Sequence, residues 1–507
     1  MIGCLLIAAR PGMQRDAQVV HHILVVLVGC DSDRPLLAQS GYGSGERAPK
    51  NTEKQMKASK NWARTLAEWY ACVRSTKHLL QRHLGSLIKM RHALKNSTIL
   101  LLLLALTSMG KQSTAQPGAK PQLWIATWGA SQQIPEPQNA LAPDDLRDVT
   151  VRQIFHLSAG GAEVRLHLSN AFGTQALHFT SVHIAHPLST TSAAIDTATD
   201  KELTFAGSSE VTIPPSAEFV SDPIELQVPA LSDLTVTYHL DTPPSPATGH
   251  PGSRATSYYV HGDSVAAANL TDPKHVDHWY QVSEIDVLSA PAGGTIVALG
   301  DSITDGHGAT TNGNDRWTDV LAARLRASPG NRGIGVSNQG IGGNHLLTDG
   351  LGPNALARFD RDVLAPAGVR WLIVFEGVND LGGLVRTGEA TPAEHAALVK
   401  RILAAYNQLI LRAHAHGLRV IGATITPYVG SDYYHPGPLS EADRQAVNHW
   451  IRTAGQFDAL IDFDKVVADP QHPDRMLPVY DSGDHLHPSP AGYRAMGEAV
   501  PLNLFAQ

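Results

Sequence analysis

The sequence predicts an α/β protein in two parts. A doubly wound α/β/α domain should occupy residues 293–507, preceded by a jelly-roll-like β-sandwich over residues 121–290. Three observations carry this expectation. Short strand-like segments, separated by turns rich in Pro, Gly, Ser and Asp, fill the chain from Val149 to Leu240. From Thr295 the texture changes to continuous apolar runs alternating with amphipathic helices. Polar residues then fall at the carboxyl ends of those runs, where open α/β sheets gather their chemistry.

In the first part, "VTVRQIFHLS" (149–158) and "AEVRLHLS" (162–169) flank Gly160-Gly161, a hairpin signal. Val164, Leu166 and Leu168 alternate with polar neighbours, as in a half-buried strand. "LTFAG" (203–207), "EVTIPP" (210–215), "DPIELQVP" (222–229) and "DLTVTYHL" (233–240) are further strand candidates. Trp124 and Trp128 stand four apart, and packing is a better reading of them than a sugar platform.

In the second part, "TIVALG" (295–300) reads as a strand buried on both faces. Asp315 is placed to cap a helix carrying Trp317, Leu321 and Leu325 on one stripe. "RWLIVFEG" (370–377) is a second buried strand. Thr391-Pro392-Ala393-Glu394 forms a capping box with proline at the first helical position, and Leu398, Ile402, Tyr406 and Leu409 follow on one face. Gly417 should end that helix before the strand "LRVIGATIT" (418–426).

The region before these parts differs in kind. Residues 1–115 carry 16 Lys+Arg against 6 Asp+Glu, which leaves 24 against 41 in residues 116–507. All three cysteines (Cys4, Cys30, Cys72) lie in the basic segment, so the main body has neither a disulfide framework nor a thiolate metal site. "MRHALKNSTILLLLLALTSMGKQSTAQ" (90–116) joins Arg91 and Lys95 to a short apolar run and the small residues Ser113-Thr114-Ala115. That is the pattern of a cleaved secretory signal, and the run is far short of the ~20 residues that span a membrane. Residues 90–115 are therefore expected to be a signal peptide, with Met90 the start and residues 1–89 an extension outside the mature protein. The expected location is secreted or periplasmic. The acidic main body argues against nucleic acid or an anionic membrane as partner.

The strand ends supply the parts of an acyl-transfer site. A serine hydroxyl is a weak nucleophile until a base takes its proton, and a carboxylate can orient that base. Asp301-Ser302 ends the first strand, and Asp484 precedes His487 by three residues in the last loop. The oxyanion of a tetrahedral intermediate needs fixed donors. The N–H of Ser302, the N–H of a glycine in "GIGG" (340–343) and the amide of Asn379 are candidates. Each piece has a plainer reading. Gly-Asp-Ser and the glycine pair are usually turns, Asn379-Asp380 after a strand is usually a helix cap, and Asp-x-x-His is usually a hydrogen-bonded loop. Glu376 is expected only to anchor the Asn379 loop. His485 with His487, or His414 with His416, could suggest a metal site, but the first pair suits the triad loop and the second a helix end. Neither a metal nor an organic cofactor is expected. No Gly-x-Ser-x-Gly elbow occurs at a strand end.

Together "GDSITDG" (300–306), "NQGIGG" (338–343), "GVND" (377–380) and "DHLHP" (484–488) resemble the conserved blocks of the SGNH, or GDSL-type, hydrolases. The resemblance covers residues 293–507 and implies a flavodoxin-like three-layer α/β/α fold. It implies Ser302 as nucleophile, Gly343 and Asn379 as oxyanion donors, and Asp484 with His487 as the rest of a triad. "DGHGATTNGNDRW" (305–317), "FEGVNDLGG" (375–383), "WIATWGASQQ" (124–133) and "RLHLSNAFG" (165–173) are similar to a secreted branch that includes arylesterases and acylhydrolases linked to xylan breakdown. The expected function is a secreted serine esterase for short-chain esters such as O-acetyl groups on xylan. Lipid, lysophospholipid or aryl esters are the alternative substrates, and a dead carbohydrate-binding domain is the alternative of another class.

Overall fold

A computed structural model describes residues 123–289 and 293–506. The expected upstream extension and signal peptide lie outside the described residues. Residues 115–507 make one compact unit. Among the described residues no helix is long and apolar enough to cross a membrane.

The β-rich part holds two larger antiparallel sheets. One runs in the order 123–129, 282–289, 161–169, 218–220, with 224–228 also paired to 161–169. The other runs 274–276, 257–261, 149–156, 233–240, 177–185, 201–202, with 211–213 on 177–185. Both contribute to one apolar core, with Val164, Leu166 and Ile285 from the first and Val151, Phe155 and Val236 from the second.

Two local expectations fail here. The strands flanking Gly160-Gly161 do not pair with each other, because they belong to different sheets. The glycines instead permit close approach. A Cβ on Gly160 would lie 2.6 Å from Val228 O, and one on Gly161 2.9 Å from Leu288 O. "LTFAG" is a turn, not a strand. Phe205 bridges Ser208, Ala206 and Gly207 have φ of 53° and 84°, and the Asp222 carboxylate collects their N–H groups at 3.1 and 2.8 Å. Trp124 and Trp128 do not share a face, since a bulge between Ala126 and Trp128 reverses the alternation. Trp128 is buried edge-on against Phe155 and Trp279, while Arg165 covers Trp124.

The C-terminal part is built on five parallel strands: β1 (Gly294–Gly300), β2 (Ile334–Gly340), β3 (Val369–Phe375), β4 (Arg419–Ala423) and β5 (Ala459–Ile461). Their order is β2-β1-β3-β4-β5. The chain leaves β1 toward one edge and returns past it to β3. Right-handed crossovers therefore put helices on both faces. The helices are α1 (Ser302–Asp305), α2 (Trp317–Ala327), α3 (Ala355–Phe359), α4 (Val378–Val385), α5 (Pro392–Ala415), α6 (Pro438–Thr453), α7 (Phe463–Val467) and α8 (Pro490–Ala499). Helix α2 packs on α8, and α5 packs on α3, α4 and α6. The α5 capping box forms as the sequence indicates, and Leu398, Ile402, Tyr406 and Leu409 are all buried. Helix α2 departs from expectation: Arg316, not Asp315, is its N-cap, its N–H donating to Asp319 Oδ2 at 3.0 Å, while Asp315 accepts from Thr310 N–H.

Candidate active site

The strand order reverses between β1 and its neighbours, and crevices form at such switch points. Strand β1 runs into Ser302 at the first position of α1. Asp301 caps this turn by accepting from Ile303 N–H at 2.9 Å, and Gly306, with φ of 103°, ends it. The turn holds the Ser302 hydroxyl toward the last loop. Ser302 Oγ lies 2.8 Å from His487 Nε2, and His487 Nδ1 lies 2.6 Å from Asp484 Oδ2. Ser302 and His487 are buried, whereas the Asp484 side chain is 42% exposed.

Asp484 is well fixed despite its exposure. Its Oδ1 accepts from the N–H groups of Leu486 and His487 at 3.0 and 2.8 Å and from the Ser482 hydroxyl at 3.0 Å. Partial burial disfavours its charge. The hydrogen bond and charge of His487, with the backbone donors, outweigh that and hold the carboxyl well below the usual range. Neighbouring His485 is held apart from this chain of bonds by Asp481. His414 pairs with Asp458 elsewhere on the surface.

Asn379 follows Gly377 into α4. Its Nδ2 donates to Asn344 O at 2.7 Å, and its Oδ1 accepts from Tyr434 Oη at 2.6 Å. The amide is thus oriented from both sides, with its second N–H left for another acceptor. Gly343 has φ of 69°, and a Cβ there would lie 2.9 Å from Leu351 Cδ1. A side chain at this position would be both strained and crowded. Asp380 is not a helix cap. Its two oxygens accept from Leu346 and Leu347 N–H at 2.8 and 3.0 Å, tying the loop after Gly343 to α4.

The sequence reading missed Arg358, the fully buried residue beneath this loop. Its guanidinium donates to Asn344 Oδ1 (3.0 Å), Gln339 O (2.6 Å), Gly300 O (2.9 Å), Asp362 Oδ2 (3.0 Å) and Glu376 Oε1 (3.2 Å). It therefore gathers the ends of β1, β2 and β3. Glu376 reaches the Asn379 loop only through Arg358 and Asn344. Burial pushes the Glu376 carboxyl upward, as it does Asp301 and Asp380.

His307 was also missed. Its ring lies 4.0 Å, centroid to centroid, from that of His487, and its Nε2 is 3.9 Å from Asp484 Oδ2. His307, Asp484 and His487 hold ligand-type atoms within 4.8 Å of one another. Both nitrogens of His487 are already engaged, one by Ser302 and one by Asp484, so this cluster has no spare imidazole lone pair there for a metal.

Residues 298–495 match the GDSL-like Lipase/Acylhydrolase family. This segment is a GDSL-type domain, and the family is one of ester-hydrolysing enzymes. No curated protein matches the chain. Many solved structures are similar to it, among them these three. A GDSL-like lipase from Bacteroides thetaiotaomicron shows 18% identity, 41% coverage of this chain and 87% of that one, with a TM-score of 0.30. A catalytic mutant of an acetylxylan esterase from Geobacillus stearothermophilus shows 20% identity, 42% and 94% coverage and a TM-score of 0.30. The aryl esterase of M. smegmatis shows 16% identity, 41% and 95% coverage and a TM-score of 0.30.

Proposed function

We propose that the GDSL-type domain hydrolyses short-chain carboxylic esters through an acyl-enzyme on Ser302. The observation that carries this is the continuous Ser302–His487–Asp484 chain of hydrogen bonds. His487 takes the hydroxyl proton as Ser302 Oγ attacks the ester carbonyl, then returns it to the leaving alcohol. Asp484 holds the ring and balances the imidazolium. The second N–H of Asn379 and the backbone N–H groups of Gly343 and Ser302 receive the oxyanion. Water then repeats the sequence on the acyl-enzyme and releases the acid.

A short acyl group follows from what surrounds Ser302. Leu346 and Trp317 are buried in the core and Leu347 is partly buried against it. Leu351, 43% exposed beside Gly343, is an exposed apolar group there. The other loops ("TDGHGATTNGN", "YDSGDHLHP") are polar and suit a hydrated sugar hydroxyl as the alcohol. Acetyl groups on xylan are the substrate we infer. The sequence of residues 90–115 supports export to meet such a polymer, and the β-rich part is read as a jelly-roll-like sandwich. Native extracellular protein should begin near Gln116, and peptides from residues 1–89 in that material would refute Met90 as the start.

The testing experiment compares nitrophenyl esters from acetyl to octanoyl, acetylated xylan and lysophospholipid. kcat/KM should fall as the acyl chain lengthens, with acetate released from xylan. Faster octanoyl turnover without acetate release would favour the lipid-ester reading. A serine-reactive phosphonate should add its mass to Ser302; an unlabelled, inactive protein would favour the carbohydrate-binding reading.

A further inference from the structure

The loop Gly249–Thr256 of the β-rich part is built into the turn that follows Ser302. His250 Nε2 lies 2.8 Å from Asp305 Oδ1, and both residues are buried. Arg316 Nε donates to Asp305 O at 2.8 Å, and its Nη2 donates to Ser253 O. Asn312 N–H donates to Arg254 O at 2.9 Å, while Thr256 N–H donates to Asn312 Oδ1 at 2.8 Å. Gly252 leaves no room for a side chain, since a Cβ there would meet Asp305.

At the end of this clamp, Arg254 Nη2 lies 3.1 Å from His307 Nδ1. Arg254 holds a left-handed backbone with φ of 48°, unusual for a bulky residue and kept only where its surroundings require it. The backbone of His307 is pinned as well. Its N–H donates to Ser302 O at 2.9 Å and its O accepts from Tyr493 Oη at 2.7 Å. Gly306 and Gly308, with φ of 103° and 90°, turn the chain on either side of it. These contacts set the His307 ring over His487.

A guanidinium only donates, so Nδ1 of His307 must accept. The remaining proton then sits on Nε2, the nitrogen nearest Asp484. Protonating Nδ1 would set two donors and two positive charges face to face. We propose that Arg254 is a positioning residue for ester hydrolysis: it fixes His307 as a neutral ring packed against that of His487 at a tilt of 42°, so that the base keeps its alignment and its imidazolium forms beside an uncharged neighbour. This rests on the reading of Ser302, His487 and Asp484 as the reacting set.

The surroundings of His307 agree. Burial disfavours its charge most, and His487 and Arg254 add repulsion. Together these outweigh Asp484 and Asp305 and bring His307 down to about 4. Tyr493 of α8 meets it through its backbone oxygen and adds no charge.

The experiment measures kcat and KM against pH for nitrophenyl acetate with Arg254→Ala, His307→Phe, His307→Ala and the Arg254→Ala/His307→Phe double variant. His307→Phe keeps an uncharged ring against His487 and should stay within about 3-fold of wild-type kcat, while His307→Ala loses alignment and should fall about 10-fold or more with KM little changed. Arg254→Ala removes one repulsion from His307. It should move the acid limb of kcat to higher pH, and the double variant should move it back. If Arg254→Ala raises KM alone with an unchanged pH profile, Arg254 is a substrate contact and the proposal is wrong. If His307→Phe and His307→Ala fall equally, the ring contact does nothing and the proposal is equally wrong. Phosphonate labelling of wild-type Ser302 separates these results from failure of the functional reading, which an unlabelled Ser302 would show.

Discussion

Tyr434→Phe tests how the proposed oxyanion site is held. The change removes one hydroxyl and leaves a ring of the same shape. Asn379 Oδ1 loses its 2.6 Å donor but keeps the 2.7 Å bond from Nδ2 to Asn344 O. Flipping the amide would set Oδ1 against that carbonyl, acceptor to acceptor, so the catalytic orientation stays preferred. The loss should therefore be that of one hydrogen bond of about 0.5–1.5 kcal/mol, not of the whole donor. At about 1.4 kcal/mol per tenfold, kcat should fall roughly 2- to 12-fold with KM unchanged. Asn379→Ala, which removes the donor itself, should cost about 10²–10³ in kcat. Steady-state kinetics with nitrophenyl acetate measures both, and a thermal melt checks that Tyr434→Phe still folds. Equal losses in the two variants would mean that Tyr434 does more than orient the amide. An unchanged kcat in Tyr434→Phe beside a large loss in Asn379→Ala would mean that Asn344 O alone holds it. A rise in KM alone for Asn379→Ala would make it a ground-state contact and refute the oxyanion assignment.

Ser302→Ala and His487→Ala should each remove nearly all turnover, and the double variant should cost little more, because nucleophile and base act as a unit. Asp484→Asn should lower kcat by less than the roughly 10⁴-fold seen where the orienting carboxylate is buried, since solvent reaches Asp484; a loss that large would count against this reasoning. Asp484 is held ionised and His307 neutral above about 4, so neither changes charge between about pH 5 and 8. An acid fall of kcat in that window should therefore involve neither of them, whereas buried Asp301, pushed up to about 7 beside Ser302, does change charge there; a profile that Asp301→Asn leaves unchanged would show that this proton does not bear on turnover. Leu351→Ala should raise butanoyl over acetyl turnover if Leu351 bounds the acyl group, and an unchanged ratio would place that group elsewhere.

What the sequence made legible was local. Ser302, Asn379 and His487 each stand in a short motif next to a strand or a loop with its own composition, so their positions followed from the β-α rhythm. The α5 capping box was readable because all its bonds lie within four residues. Arg358 was not, because it sits in a five-residue helix without a stripe and its partners lie 4 to 227 residues away. Gly160-Gly161 misled because a glycine pair serves a tight turn and a close backbone approach equally well, and only the sheet pairing tells which. Arg254 and His307 were invisible as a pair because they come from the two different parts of the fold.

The Arg358 network has a physical cause of its own. A hydrolase must gather polar groups at strand ends, and burying them there is costly unless they are partnered. Asp301, Glu376 and Asp380 all lie under the site, and burial disfavours charge on each. Fully ionised, they would place negative charge beneath the very point where an oxyanion must form. Arg358 opposes that by pairing with Glu376 while spending its other donors on Gly300 O, Gln339 O and Asn344. Asp362, its second carboxylate, is shared with Arg361 and with Ser131 of the β-rich part. The network that supports the proposed oxyanion loop therefore continues across the boundary between the two parts, as does the Arg254 clamp on the opposite side of Ser302. On this reading the β-rich part is a structural half of the active site. Removing it would expose Asp305 and Asp362 and unpin His307, whatever it also does for substrate.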